Sequence, residues 1–501
     1  MNARSRWTLA ATILASSLTF IDVTVVNVAL PALQADLHAT ITDVQWVIEA
    51  YALLLGALIL VGGSMGDQFG RKRVFLFGVI FFTAASILCG IAASSRVLIA
   101  GRALQGVGAA FLVPGSLAII SATFDEAGRG RAIGTWSAFS AITTAIGPVS
   151  GGWLVEHASW RAVFFLNAPL AIVVLALSFT YMEESRDPSR TGRIDWSGAA
   201  LAVLGLGGIV FGLLEWPPLG AVHPVVLSAL AIGTVSLAWL VRVERRAPNP
   251  MLPLTLFRSR IFTLANALTL LLYAALGVVL FLMPMNLIQV QRYTATAAGA
   301  ALLPLPLIMF ALSRWSGSLV ARIGSRIPLT IGPVIAAGGL ALYARPGIGG
   351  SYWTTFFPAI VVLGFGMAVT VAPLTATVMG AVDARHAGTA SGVNNAVARV
   401  AGLLAIAVFG VALARTFDAR VTPRIDAVRL SQPERYDLDR ELTRMAGADV
   451  THLPIPPQEQ RAIRAIVDEG FVSAFRLVML WASGLALATA FCGSAIRQPE
   501  R

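Results

Sequence analysis

The sequence predicts an all-α integral membrane protein of about fourteen transmembrane helices, arranged as two six-helix bundles plus two additional central helices. Three observations lead there. The 501-residue chain is 56% hydrophobic and only 13% charged, with a mean hydropathy of +0.76; a soluble protein of this length carries about 25% charged residues to cover its surface. Apolar stretches of about 20 residues, enough to cross a hydrocarbon core roughly 30 Å thick, recur along almost the whole chain. Arginines collect in alternate connections, as a chain that crosses back and forth requires.

The spans fall near 8–30, 46–66, 73–93, 97–121, 131–154, 161–182, 196–216, 223–243, 262–285, 298–320, 327–344, 353–376, 390–413 and 471–493. The first follows the basic start Arg4 and Arg6. It is too long for a signal peptide and lacks a clear cleavage site, so a retained helix is expected. Most connections are short, which makes consecutive helices antiparallel. Glu215, Trp216, Pro217 and Pro218 mark the end of the seventh span. The exception is the polar segment 415–470, where Pro457 to Val467 reads as a surface amphipathic helix.

One set of connections carries Arg4, Arg6, Arg71, Lys72, Arg73, Arg129, Arg131, Arg186, Arg190, Arg193, Arg242, Arg245, Arg246, Arg258, Arg260, Arg322, Arg326, Arg385 and Arg497. The short loops of the other set carry little beyond Arg96, Arg161, Arg292 and Arg345. Lys and Arg favour the cytoplasmic side, so both termini are expected inside a plasma (inner) membrane, with 415–470 outside. The net charge of +11 does not indicate nucleic acid, because the arginines lie between spans rather than on one basic face.

An internal echo supports two bundles. After the second span the chain reads Gly63-Ser-Met-Gly-Asp67-Gln-Phe-Gly70-Arg71-Lys72-Arg73; after the tenth it reads Gly317-Ser-Leu-Val-Ala321-Arg-Ile-Gly324-Ser-Arg326. Spans nine to fourteen then repeat spans one to six. This divides the chain into 1–190, an inserted helix pair at 191–250, and 251–501. Two repeated bundles around a midplane site is transporter architecture.

Ionisable residues inside spans are costly and stand out. Asp22 lies about 13 Å below Pro31 along the first span. It reads as a protonation site or a structural ion pair. Arg102, near the outer end of the fourth span, is within reach of pairing with it or of snorkelling to the surface. Glu49 is about 6 Å deep in the second span and reads as a proton or substrate site, or as an interfacial acid. Asp67 and Arg71, four residues apart, with Gly63, Gly70 and Arg73, suggest a charge latch at the cytoplasmic turn. Gly147, Pro148, Gly151 and Gly152 give the fifth span a kink and a small-residue face for close packing. Asn27, Gln105, Trp136, Phe139, Tyr273 and Phe281 are candidates to line a cavity. Cys89 and Cys492 sit in separate spans and read as core thiols. His38, His157, His223, His386 and His452 are scattered, so no metal site is expected, and no nucleotide loop or catalytic triad stands out.

These motifs resemble the 14-helix drug:proton antiporter branch of the major facilitator superfamily, the EmrB/QacA-like multidrug exporters. The resemblance rests on Asp22 with Asn27 to Pro31, on Gly63 to Arg73, and on Arg102, Gln105, Gly106 and Gly108. It rests also on Gly147, Pro148, Gly151 and Gly152, on Trp160, Arg161, Phe164, Asn167 and Pro169, and on Asp195, Trp196 and Leu256 to Arg258. It implies the major facilitator fold and proton-coupled efflux of lipophilic, often cationic small molecules or drugs by alternating access. Asp22 would be the coupling acid, assisted by Arg102, and Asp67 with Arg71 would control the switch. The fifth-helix glycine-proline motif is characteristic of exporters. Glu49 departs from the pattern, where a small or hydroxyl residue is expected. The partners implied are a small-molecule substrate, protons and the lipid bilayer, with no cofactor beyond the proton gradient, and a monomer is allowed. The alternatives are a dedicated exporter of one endogenous metabolite, lipid or antibiotic, and a proton-coupled importer.

Overall fold

Hydrocarbon offers no partner for backbone N–H and C=O groups, so apolar spans close their hydrogen bonds internally as helices. The computed structural model describes residues 3–124, 126–186, 195–247, 250, 252, 254–382, 387–428 and 430–496. The first six passes are α1 (Ala3–Asp36), α2 (Ile41–Phe69), α3 (Arg71–Gly90), α4 (Ser95–Thr123), α5 (Glu126–His157) and the pair α6 (Ala162–Phe165) and α7 (Asn167–Tyr181). Then come α8 (Trp196–Leu214), the single turn α9 (Trp216–Leu219) and α10 (Pro224–Glu244). The second set is α11 (Arg260–Met285) with a π turn at Asn286–Val290, α12 (Ala295–Ala301), α13 (Pro304–Ile323), α14 (Arg326–Tyr343), α15 (Tyr352–Gly380), α16 (Ala387–Asp426), α17 (Gln432–Leu442) and α18 (Pro457–Ser494). Among the described residues, 13 helical stretches are long and apolar enough to cross a membrane. The 32-residue α5 adds a further pass between α4 and α6. Of the arginines that set the expected orientation, Arg190, Arg193, Arg385 and Arg497 lie outside the described residues.

Local sequence sets several starts. Thr40 and Asp43 form a capping box at α2, and the side chains of Ser94 and Asp195 cap α4 and α8, each satisfying a first-turn N–H. Gly70, at φ +112°, turns α2 into α3, and Gly324, at φ +75°, turns α13 into α14. These are the echoed glycines, and left-handed backbone is where glycine costs least. The packing repeats as well. In the first bundle α1 packs on α5 and α7, while α4 receives α2 and α3; in the second α11 packs on α16 and α18, while α15 receives α13 and α14. The extra helices α8 and α10 pack on each other, and α8 leans on α2 and α16.

The structure departs from the sequence reading in two places. The tenth span is two helices, because Pro304 and Pro306 open α13 where α12 has ended. The stretch Pro457 to Val467 is no separate surface helix. It is the first part of α18, since Ile463, Ile466 and Val467 bury against the main core and Gly470 packs on Val421. Likewise α16 runs on to Asp426, well beyond its predicted end.

The end of α1, the start of α2, the end of α16 and the start of α18 share one face, roofed by the polar segment. We call it the capped face; the chain ends of α1 and α18 point to the other. At the capped face the bundles are tied together. Gln289 of the π turn donates to Gln34 of α1 at 2.7 Å, and Gln34 donates to the carbonyl of Arg444 in the roof at 3.2 Å. The N–H of Ile41 donates to the Thr443 carbonyl at 3.0 Å. Arg464 of α18 donates to the carbonyls of Gln289, Ala446 and Ala448 at 2.7–2.9 Å and pairs with Asp468 at 2.6 Å.

Candidate functional site

A polar cluster sits inside the first bundle, where five of its passes converge. Arg102 of α4 donates through Nη1 to Asp22 Oδ2 at 2.6 Å and to Gln105 Oε1 at 2.7 Å. Gln105 Nε2 donates to Asp22 Oδ1 at 2.7 Å, and Asn167 Nδ2 reaches the same oxygen at 3.4 Å. Asn167 also donates to Ser86 of α3 at 2.9 Å. Arg102 Nε donates to the Val47 carbonyl of α2 at 3.0 Å, and its guanidinium carbon lies 4.3 Å over the Tyr51 ring. Asp22 and Arg102 are each 1% exposed. Removing such charges from water is expensive, and only near-complete pairing offsets it. The snorkelling reading of Arg102 is therefore ruled out. Close packing makes the pairing possible: a Cβ on Gly106 would meet the Tyr51 carbonyl at 2.5 Å, and one on Gly108 would meet the Phe82 N–H group at 2.5 Å.

Glu49 occupies the other side of α2. It is 0% exposed, and neither carboxyl oxygen has a hydrogen-bond partner among the described residues. It is enclosed by protein, not exposed as an interfacial acid would be, and lies about 12 Å along a helix that begins at Ile41. The face of α2 that carries Gln45, Glu49, Gly56 and Leu60 turns toward α16: Gln45 meets Gly410, Gly56 meets Arg399 and Leu60 meets Gly392. The Val47 carbonyl and the ring face of Tyr51 meet Arg102. Thus α2 carries the ion-pair cluster on one side and the junction between bundles on the other. Sequence reading missed Arg399, because one arginine in the apolar run 390–413 does not interrupt a span.

At the turn between α2 and α3, Arg71 donates to Asp67 Oδ1 through Nη2 at 2.8 Å and through Nε at 3.0 Å. The Glu184 carboxylate accepts the N–H of Lys72 at 3.0 Å and of Arg73 at 3.2 Å. An anion at the start of α3 meets its free N–H groups and dipole. Gly70 is favoured by its φ of +112°, and a Cβ there would push the Glu184 carboxylate aside. Arg4 pairs with Glu183. Of the neighbouring glycines, Gly62 is the crowded one: its Cβ would lie 2.0 Å from the Ala110 carbonyl, whereas one on Gly63 would meet Pro114 at an ordinary 3.6 Å.

The fifth-helix motif divides between two neighbours. Cβ atoms on Gly147 and Gly151 would strike Thr24 and Val25 of α1. One on Gly152 would lie 2.4 Å from the Ala295 carbonyl of α12, and one on Gly299 would lie 2.1 Å from the Pro148 carbonyl. Pro148 and Gly152 therefore form part of the contact between bundles near the capped face. Glu156 extends it by accepting from Thr296 Oγ1 at 2.6 Å.

The aromatic candidates disperse. Trp136 donates to Ser16 at 2.8 Å and lies edge-on to Phe20 within the first bundle. Phe139 is 49% exposed, whereas Phe281 is 2% exposed and packed in the core, so it forms no cavity wall. Gln105 belongs to the ion-pair cluster rather than to a cavity. Asn27 and Tyr273 are half-buried. A cavity of about 560 Å³ lies under the capped face, lined by Pro31, Gln34, Gln289, Arg292, Gly447 and Arg464 among others. None of the six predicted lining residues reaches it.

The family model described as the Major Facilitator Superfamily matches residues 12–406. The multidrug resistance protein Stp of Mycobacterium tuberculosis (strain CDC 1551 / Oshkosh) is 35% identical over 98% of this chain and 91% of its own length. The tetracenomycin C resistance and export protein of Streptomyces glaucescens is 30% identical over 98% and 92%. The puromycin resistance protein pur8 of Streptomyces alboniger is 36% identical over 81% of each. Among solved structures, a bacterial homologue of the human lysosomal transporter Spinster superposes with a TM-score of 0.67 at 17% identity, covering 98% of each chain. The molecule is a multi-pass membrane transporter rather than an enzyme. With its repeated bundles, its glycine turns and these relatives, the chain belongs to the Major Facilitator Superfamily.

Proposed function

We propose that this protein exports lipophilic small molecules across the plasma membrane in exchange for protons, by alternating access. The observation that carries the reading is the buried Asp22–Arg102 pair, locked to α2, which also lines the junction with the second bundle. In this conformation Asp22 is paired with Arg102. A proton arriving from outside neutralises Asp22 and weakens its hold on Arg102. Arg102 then shifts against Val47 and Tyr51, and α2 moves against α16. The proton leaves to the cytoplasm in the opposite state, and substrate travels outward. Coupling of this kind requires proton and substrate to oppose each other energetically.

On this reading both termini are cytoplasmic, as the arginine distribution suggests, and the capped face is the outer one. The Gln34–Gln289 contact and the Gly152–Ala295 contact then close the outer gate, and release requires both to part. Glu49, buried at the junction without a partner, is a second proton carrier, because an unpaired carboxylate there costs far more than a carboxylic acid. It is also the acid that a cationic group on a substrate would meet. The names of the relatives support export of drugs. Two of them are named for a single antibiotic each, which favours a narrower second reading, an exporter of one compound. Sealed vesicles with an imposed pH gradient test the proposal across unrelated dyes. Efflux of several supports the broad reading and efflux of one the narrow. Accumulation that ignores the gradient would refute proton coupling.

A further inference from the structure

Arg399 is a guanidinium inside a span, at the junction of the bundles, facing α2 where Gly56 leaves room; a Cβ on Gly56 would lie 3.9 Å from the Cβ of Arg399. Arg102 and Arg464 each have an acid, Asp22 and Asp468. Arg399 makes no hydrogen bond or ion pair with any described residue. Tyr51 reaches the same junction: it belongs to the core cluster against which Ala396, one turn before Arg399 on α16, packs. Tyr51 is 3% exposed, and its hydroxyl has no hydrogen-bond partner among the described residues. Arg102 covers the ring face of Tyr51, so the hydroxyl end is the part left for a ligand.

An intramembrane arginine is rare, and it faces a partner or a wet cavity. Its five donors form a planar fork that matches a carboxylate through two parallel hydrogen bonds. No described residue supplies such a carboxylate here. Glu49 lies on the same face of α2, but seven positions nearer the capped end, a rise of about 10 Å. The surroundings are apolar, with Leu53, Ala57 and Leu403 in one cluster.

We infer that Arg399 and Tyr51 form a subsite for an acidic group, a carboxylate or an ionised phenol, carried by the lipophilic substrate. The guanidinium takes the two oxygens of a carboxylate, and the tyrosine hydroxyl donates a third hydrogen bond. The substrates best accommodated are therefore lipophilic acids and amphoteric molecules, which place the acid at Arg399 and any amine toward Glu49. A cation without an acidic group would meet the charge of Arg399 uncompensated.

This assignment rests on the export reading, and the test separates the two. The probes are a cationic xanthene dye with a free carboxylate and the ethyl ester of the same dye. Binding is read by fluorescence anisotropy on the purified chain in lipid nanodiscs. The wild type should bind the acid dye more tightly than the ester. Arg399→Gln should weaken the acid dye by about ten- to a hundredfold, as loss of charged hydrogen bonds does, and leave the ester bound as tightly as before or more tightly, because a repelling charge is removed. Tyr51→Phe should weaken only the acid dye, and by less. Arg399→Lys, which keeps the charge but loses the fork, should fall between. Ester binding serves as the control for folding. An Arg399→Gln protein that binds the acid dye as the wild type does, or loses both dyes equally, overturns the subsite. If instead reconstituted wild type exports neither dye under a pH gradient, the export reading fails as well.

Discussion

Arg102 and Asp22, on different helices and eighty positions apart, meet at 2.6 Å with neither side chain reaching solvent. Losing either partner leaves the other charge buried. The two losses differ, however, because Asp22→Asn keeps a polar group that still accepts from Arg102. Arg102→Ala should destabilise the first bundle by about 3–5 kcal/mol, the typical cost of orphaning a buried charge. Asp22→Asn should cost clearly less. Thermal unfolding in detergent, followed by tryptophan fluorescence, ranks them. Equal melting points for Arg102→Ala and wild type would contradict the pairing.

Glu49 should behave in the opposite way. Its oxygens have no partner to lose, so Glu49→Gln should leave the melting temperature unchanged or raise it. The same change should lower the number of protons exchanged per substrate. A large loss of stability would show that Glu49 is ionised and held by a partner.

Two adjacent glycines give a contrast that depends on packing alone. Gly62→Ala drives a methyl into the Ala110 carbonyl, whereas Gly63→Ala meets only ordinary contacts. Overpacking of this kind costs about 1–3 kcal/mol. The first variant should lose folded yield and melting temperature, and the second should resemble wild type. The reverse order would mean that α2 and α4 pack in a different register.

The roof over the capped face offers a test of the gate. A Cβ on Gly447 would sit 2.6 Å from Gln34 Oε1 and 3.0 Å from Gln289 Nε2. Gly447→Val should therefore part the Gln34–Gln289 contact. In a background with Cys89 and Cys492 replaced by Ala, a cysteine introduced at Ala32, which lines the cavity beneath, should label several-fold faster with an impermeant maleimide. Unchanged labelling would show that the roof does not hold the gate.

Much of this was legible in the sequence, for identifiable reasons. Membrane spans advertise themselves by length, and Gly70 and Gly324 mark turns that only their backbone angles explain. Asp22 and Arg102 stood out because charge in an apolar run is rare. The partners of these residues were harder to see. Gln34 and Gln289 look like ordinary helix-end amides until the fold brings them together across 255 positions. Glu184 lies 112 positions from the α3 N–H it caps, and no local pattern connects the two. Arg399 was hidden by the apolar strength of its own span. The continuity of α18 was masked by the polar turns at its start, whose apolar stripe buries against protein rather than lipid.

The central claim is that a proton on Asp22 drives export, and the most direct test records proton entry and dye efflux together in proteoliposomes with an acidic exterior. Wild type should show both fluxes, rising and falling together as the gradient is set and collapsed. Asp22→Asn should bind dye yet show neither coupled proton entry nor uphill efflux. An Asp22→Asn protein that still concentrates dye against its gradient while admitting protons would contradict the account.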